Sequence, residues 1–188
     1  MRVFVAVEIP EPIRADLPRL QASLSEAGML KVRWVRPSAI HLTLRFCGEI
    51  SPETVQRVGE RLSPGAPFPP FQVRLGRLGV FPPKGPPRVL FLGFEHVDRL
   101  RQLAAWMADR VEAADLPRER RAFQPHLTLG RFEAGARSGP VEGLQAPKEI
   151  GGKEMSVESF VLFRSHLGPE GARYETVREF RLLGEMGI

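Results

Sequence analysis

The chain has 188 residues, 43% hydrophobic and 26% charged, enough apolar material for one packed core and too little polarity for a disordered polymer. A single cysteine, Cys47, excludes an internal disulfide and a thiolate zinc cluster, while 27 Lys and Arg against 22 Asp and Glu leave a net charge of +5 that attracts polyanions. The opening apolar run reaches Glu8 and Pro10 at once, too short for a signal peptide or membrane span, so a soluble cytoplasmic protein is expected.

Residues 2–8, dense in Val and Phe and closed by Pro10, read as a buried strand. From 12 to 27 the positions Ile13, Leu17, Leu20 and Leu24 recur at helical spacing, with a kink expected at Pro18 and a stop at Gly28. Short strands are expected at 32–35 and 40–46, then a helix to about Leu62 capped by Ser51 with Pro52 in its first turn. Segments 71–80 and 88–94 read as strands around a stiff proline loop, 81–87.

An amphipathic helix is expected over 96–114, followed by a basic loop, 118–121, and a strand over 125–131. Gly-rich residues 134–152 read as a mobile loop, and strands at 155–164 and 173–182, joined by a turn at 168–171, close the chain. Short links between consecutive strands suit hairpins better than crossovers, so the class is α+β with antiparallel sheets.

Within this pattern His41-Leu42-Thr43-Leu44 returns unchanged as His126-Leu127-Thr128-Leu129, 85 residues later. The word is built from scarce letters, since the chain holds only four His. On a strand, residues i and i+2 share a face, so each copy presents His and Thr on one side while its two Leu enter the core. Each copy follows a strand and a helix, as two halves of a duplication related by a pseudo-twofold would.

The pair suits phosphoryl chemistry: opening a cyclic phosphate needs a base for the attacking oxygen and an acid for the leaving one, on opposite sides of phosphorus. Histidine titrates near neutrality and serves both tasks, and the Thr43 and Thr128 hydroxyls can bind the nonbridging oxygens as charge gathers there. No metal-ligand spacing such as His-x-His is present and Cys47 has no partner cysteine, so a metal site is not expected.

Taken with the flanking words Arg2-x-Phe4-x-Ala6, Trp34, Arg45-Phe46-Cys47-Gly48, Pro87 to Gly93, Phe123-x-Pro125, Gly130-Arg131, Ser165 and Tyr174, the chain resembles the two-histidine phosphoesterase superfamily. Within it the resemblance is to the RNA 2′,3′-cyclic phosphodiesterases historically called bacterial 2′-5′ RNA ligases. It implies one domain over 1–188 made of two intertwined lobes: two antiparallel sheets with helices outside and a positively charged central groove.

It also implies hydrolysis of RNA 2′,3′-cyclic phosphate ends to 2′-phosphates without metal or nucleotide cofactor, and a reversible 2′-5′ joining reaction at the same site. The partner it implies is RNA with a cyclic phosphate terminus, tRNA fragments included, met by a monomer and not at a membrane. His41 would be the acid and His126 the base, although the residues alone leave the swapped assignment open. A small cyclic nucleotide substrate, or a noncatalytic RNA-binding module, stands as the alternative.

By the same resemblance Arg131 would bind the phosphate; strand parity opposes this, since Arg131 is five residues from His126, unless a bulge at Gly130 turns it inward. Parity likewise assigns Phe46 to the core side with Leu42 and Leu44, with base stacking as the alternative for it and for Trp34, and the lone Cys47 reads as a small core residue by its type. His96 and His166, each without a matching Thr, read as surface or capping residues.

Overall fold

A computed structural model describes residues 1–28, 31–119, 121–134, 150–168 and 171–184. Most of the Gly-rich stretch expected to be mobile, and the tip of the 168–171 turn, lie outside those residues.

The strand Arg2–Glu8 (β1) is buried through its centre and pairs antiparallel with His41–Glu49 (β3). Between them the single helix expected over 12–27 is two, Glu11–Arg14 (α1) and Leu17–Glu26 (α2). The break falls at Ala15 and Asp16, not at Pro18, because Pro18 occupies the first turn of α2, where no backbone N–H is required. A short strand Val32–Trp34 (β2) and a 3₁₀ turn at Pro37–Ala39 lead into β3.

After β3, the helix Pro52–Leu62 (α3) starts where expected, Thr54 N–H donating to the Ser51 hydroxyl at 3.3 Å. Phe71–Phe81 (β4) and Val89–Glu95 (β5) form a hairpin, Asp98–Glu112 (α4) follows, and His126–Phe132 (β6) pairs with β5. The strand expected over 155–164 is also two: Glu154–Val157 (β7) pairs with β4, whereas Ser159–Gly168 (β8) crosses to β1 and hairpins with Gly171–Arg181 (β9).

The order β7-β4-β5-β6-β3-β1-β8-β9, with β2 on β6, is antiparallel in every pairing of these strands. Its two halves, five strands on the β6 side with β2 counted and four on the β3 side, pair at one residue pair, Leu42 opposite Leu127. The α+β duplication is thus built from two antiparallel lobes stitched by a single bridge.

The duplication is legible in register: Glu8 opposes His41 and Gly93 opposes His126, Val7 opposes Leu42 and Leu92 opposes Leu127. Helices cover one face of this sheet, where Leu17, Leu20 and Leu24 of α2 and Leu100, Leu103, Met107 and Val111 of α4 enter the main core with Leu42 and Leu127. Among the described residues the other face carries a second, smaller buried cluster, Phe4, Ala6, Val161 and Phe163 with Tyr174 against it. That side is left for a cleft. No described helix is long and apolar enough to cross a membrane.

Candidate active site

The Leu42–Leu127 pairing fixes the chemistry-bearing face. In an antiparallel pair the flanking positions then oppose each other, His41 with Thr128 and Thr43 with His126, all on the side opposite the two leucines. The imidazoles occupy a diagonal of this square, a separation of roughly 7–8 Å between Cα atoms. That leaves room for a tetrahedral group between the rings.

Both rings are fixed alike. His41 Nδ1 lies 3.0 Å from the Ala39 carbonyl and His126 Nδ1 lies 2.7 Å from the Gln124 carbonyl, each two residues upstream. A carbonyl only accepts, so Nδ1 carries the hydrogen and Nε2 is the free nitrogen. Phe4 stacks on His41 at 4.7 Å and Tyr174 meets it edge-on at 5.0 Å, while Phe81 and Phe91 flank His126 at 5.0 and 5.5 Å.

Those aromatic walls withdraw water from the rings. Burial lowers His41 from its ordinary value to about 4, opposed by the Ala39 bond and assisted by His126; burial lowers His126 too, opposed by Gln124 and assisted by Arg131. Each empty-site imidazole is therefore neutral at physiological pH.

A cleft of about 800 Å³ opens on this face, lined by His41, Thr43, Thr128 and Arg131, by Arg2, Arg33 and Arg36, and by aromatic residues including Phe46. His126 is not among its lining residues and adjoins it from the Phe81–Phe91 side. None of the described lining residues is acidic.

Arg131 lies on the cleft side despite its odd spacing because β6 is irregular between its pairings with Leu90 and Phe91: Gly130 opposes Leu90 and Thr128 opposes Phe91, which leaves Leu129 as the extra residue. Leu129 and Gly130 both point inward, and the parity reverses after them. The bulge is at Leu129, one residue before the position anticipated. Gly130 has its own reason to lack a side chain, since a Cβ there would come within 2.3 Å of Val32 Cγ1.

The first motif has the same device. In β3, Phe46 opposes Phe4 and Arg45 opposes Val5, but Thr43 opposes Ala6, so Leu44 is extra. This overturns the core assignment of Phe46: it is 43% exposed, lines the cleft and carries the Arg2 guanidinium 5.0 Å from its ring centre. The same bulge sends Arg45 inward, where it is buried, donates to the Pro117 carbonyl and faces Glu119 at 3.6 Å. Cys47 is in the core, its thiol pushed up to about 11 by burial.

A polar side chain no motif announced holds the second bulge. Gln21 of α2, buried, donates from Nε2 to the Leu129 carbonyl at 3.1 Å and to the Val35 carbonyl at 2.7 Å. Replacing Gln21 by leucine strands the Val35 acceptor and is expected to cost about 1–3 kcal/mol; urea unfolding should show a lower midpoint at unchanged slope. Trp34 likewise spends its Nε1–H on Ser25 Oγ at 3.0 Å while its ring borders the cleft. His166 pairs with Glu175 at 2.7 Å and His96 sits in a left-handed turn before α4, and neither lines the cleft.

Sequence reading missed Arg33 and Arg36 as cleft residues; the sole signal for them was their place just before the first motif. Among the described residues no group of three His, Cys, Asp or Glu side chains is placed to hold a metal ion.

Known proteins share this fold and much of the sequence behind it. A family model described as LigT like Phosphoesterase matches residues 7–91 and again 94–174, one stretch for each motif. An RNA 2′,3′-cyclic phosphodiesterase of Archaeoglobus fulgidus is 34% identical over 96% of this chain and 99% of its own length. One from Thermus thermophilus is 37% identical over 100% of this chain and 93% of its own. The crystal structure of TT0787 of Thermus thermophilus superposes with a TM-score of 0.78 at 35% identity, covering 98% of this chain and all of that one. Apo LigT of E. coli gives 0.78 at 26%, covering 96% of each chain.

Proposed function

The chain belongs to the LigT-like phosphoesterase family, and from that membership we propose that it hydrolyses 2′,3′-cyclic phosphates at RNA ends to 2′-phosphates, with His41 and His126 as acid and base. The observation that carries this reading is the pair of His-x-Thr strands presenting one face, each imidazole held through Nδ1 by the carbonyl two residues upstream.

The mechanism proposed uses that symmetry. His126 Nε2 takes a proton from water as its oxygen attacks phosphorus, and the bond from phosphorus to O3′ breaks as His41, protonated, gives that oxygen a proton. The Thr43 and Thr128 hydroxyls and the Arg131 guanidinium hold the nonbridging oxygens, where charge accumulates in the transition state. The product keeps its phosphate on O2′. A 5′-hydroxyl in place of water gives the 2′-5′ joining reaction by the same proton transfers, His126 taking the hydroxyl proton and His41 protonating O3′, and running them backwards cleaves the 2′-5′ linkage.

The RNA end, tRNA fragments included, is met by one copy of the chain, residues 1–188 acting as a two-lobed unit, because all the proposed groups come from one polypeptide. No step calls on a metal or a nucleotide cofactor. One observation favours exchanged roles as a second reading: burial lowers His41 to about 4, which suits a base better than an acid.

The test is incubation with a cyclic-ended oligoribonucleotide in excess chelator, with the product read by phosphorus NMR. A 2′-monophosphate is expected; an intact cyclic end, or turnover abolished by chelator, contradicts the proposal.

A further inference from the structure

Arg33 and Arg131 occupy directly paired positions on β2 and β6, so their side chains leave the sheet on the same side, and both line the cleft. Like charges placed opposite each other across two strands repel. Proteins commonly relieve such a pair with a carboxylate, yet among the described residues neither arginine has an acidic partner within ion-pair distance, and no described lining residue is acidic. With Arg131 on the scissile phosphate, as proposed above, Arg33 opposite it is the forked donor left for a second anion.

Position along the strands says which anion. The paired Leu42 and Leu127 set Thr128 opposite His41, and Arg131 follows Thr128 on the same side after the Leu129 bulge. The Arg33–Arg131 pair therefore continues the motif face past the His41 end, where Arg36, anchored at 3.0 Å to the Ala172 carbonyl, adds a third positive side chain. With His41 facing the ribose oxygen, as proposed above, the nucleoside lies toward this end.

The next negative group of such a substrate is the phosphodiester on its O5′. We propose that Arg33, opposite Arg131, forms a second phosphate subsite that binds the phosphodiester 5′ to the terminal nucleoside, so that the charge on that linkage sets how well an end is used. This rests on the proposed hydrolytic reading and adds a substrate preference to it.

The test compares three substrates in wild type, Arg33→Ala and Arg33→Lys: a cyclic mononucleotide without a 5′-phosphate, a dinucleotide with the same cyclic end, and that dinucleotide with its internal linkage neutralised as a methylphosphonate. Wild type is expected to favour the charged over the neutral dinucleotide in kcat/KM by on the order of tenfold or more. In Arg33→Ala that ratio should fall toward one, and Arg33→Lys should keep an intermediate value.

Equal use of charged and neutral linkages by wild type, or full discrimination kept in a folded Arg33→Ala, overturns the subsite. Because the wild-type comparison needs no variant, a misfolded mutant cannot hide the answer. Failure of wild type to open any of the three cyclic phosphates would instead refute the hydrolytic reading itself.

Discussion

An alanine at position 126 is expected to lower kcat/KM toward a cyclic-ended RNA by roughly 10²- to 10⁴-fold, the range general acid–base catalysis supplies. Alanine at position 41 should cost a similar factor. If, as proposed, the two imidazoles act on one phosphorus in one step, the double variant should fall little below the worse single one, as groups working as a unit do. His126 is not in the main core, and among the described residues its hydrogen bond is to the Gln124 carbonyl, so its removal should leave the melting temperature nearly unchanged. A folded His126→Ala that keeps more than about a tenth of wild-type kcat/KM would remove the imidazole from the mechanism.

Acid should weaken the fold through His41. Its imidazole is held down to about 4 by burial while the unfolded chain has the ordinary 6.5, so between those values the unfolded state binds the extra proton. Stability from this group is fully present above pH 6.5, declines as pH falls through the window and levels off below about 4. The shift corresponds to a loss on the order of 3 kcal/mol. Urea unfolding at pH 7 and pH 4.5 should show it, and His41→Asn should flatten the difference; an equal slope in both proteins would contradict the assignment.

The rate follows the same logic. Both imidazoles of the free protein are lowered, so the bell in kcat/KM should centre on the acid side of pH 6.5. A bound phosphate favours imidazolium and raises both values, so the optimum in kcat should lie higher.

The identical tetrapeptides announced the site because alternation on a strand is a strict rule, and Leu42 and Leu127 obey it at the point where the lobes touch. The same rule failed at Phe46 and rendered Arg131 doubtful for one reason: each motif strand gains a residue after its threonine, at Leu44 and Leu129. A bulge leaves no clear mark in sequence when neither residue needs an unusual backbone angle. Pro18 was misread as a kink because a proline in a first turn and one in a helix interior look alike until the preceding residues are known to break. The crossing of the chain between Val157 and Ser159 from one lobe to the other was hidden because both strands are apolar and one residue separates them. Arg33 could not be found as a cleft residue by pattern, since its place opposite Arg131, 98 positions away, is set only by folding.

The solitary contact between Leu42 and Leu127 has a mechanical side. A long ladder would dictate the gap between the catalytic strands by its own hydrogen bonds; one rung cannot. Clearance between the imidazoles is governed from behind, by α4 lying against β3 and by Gln21 reaching from α2 to β6. The gap is held as tongs hold an object, by the grip on the handles, and helix-side residues such as Met107, which do not line the cleft, set the bite of its jaws.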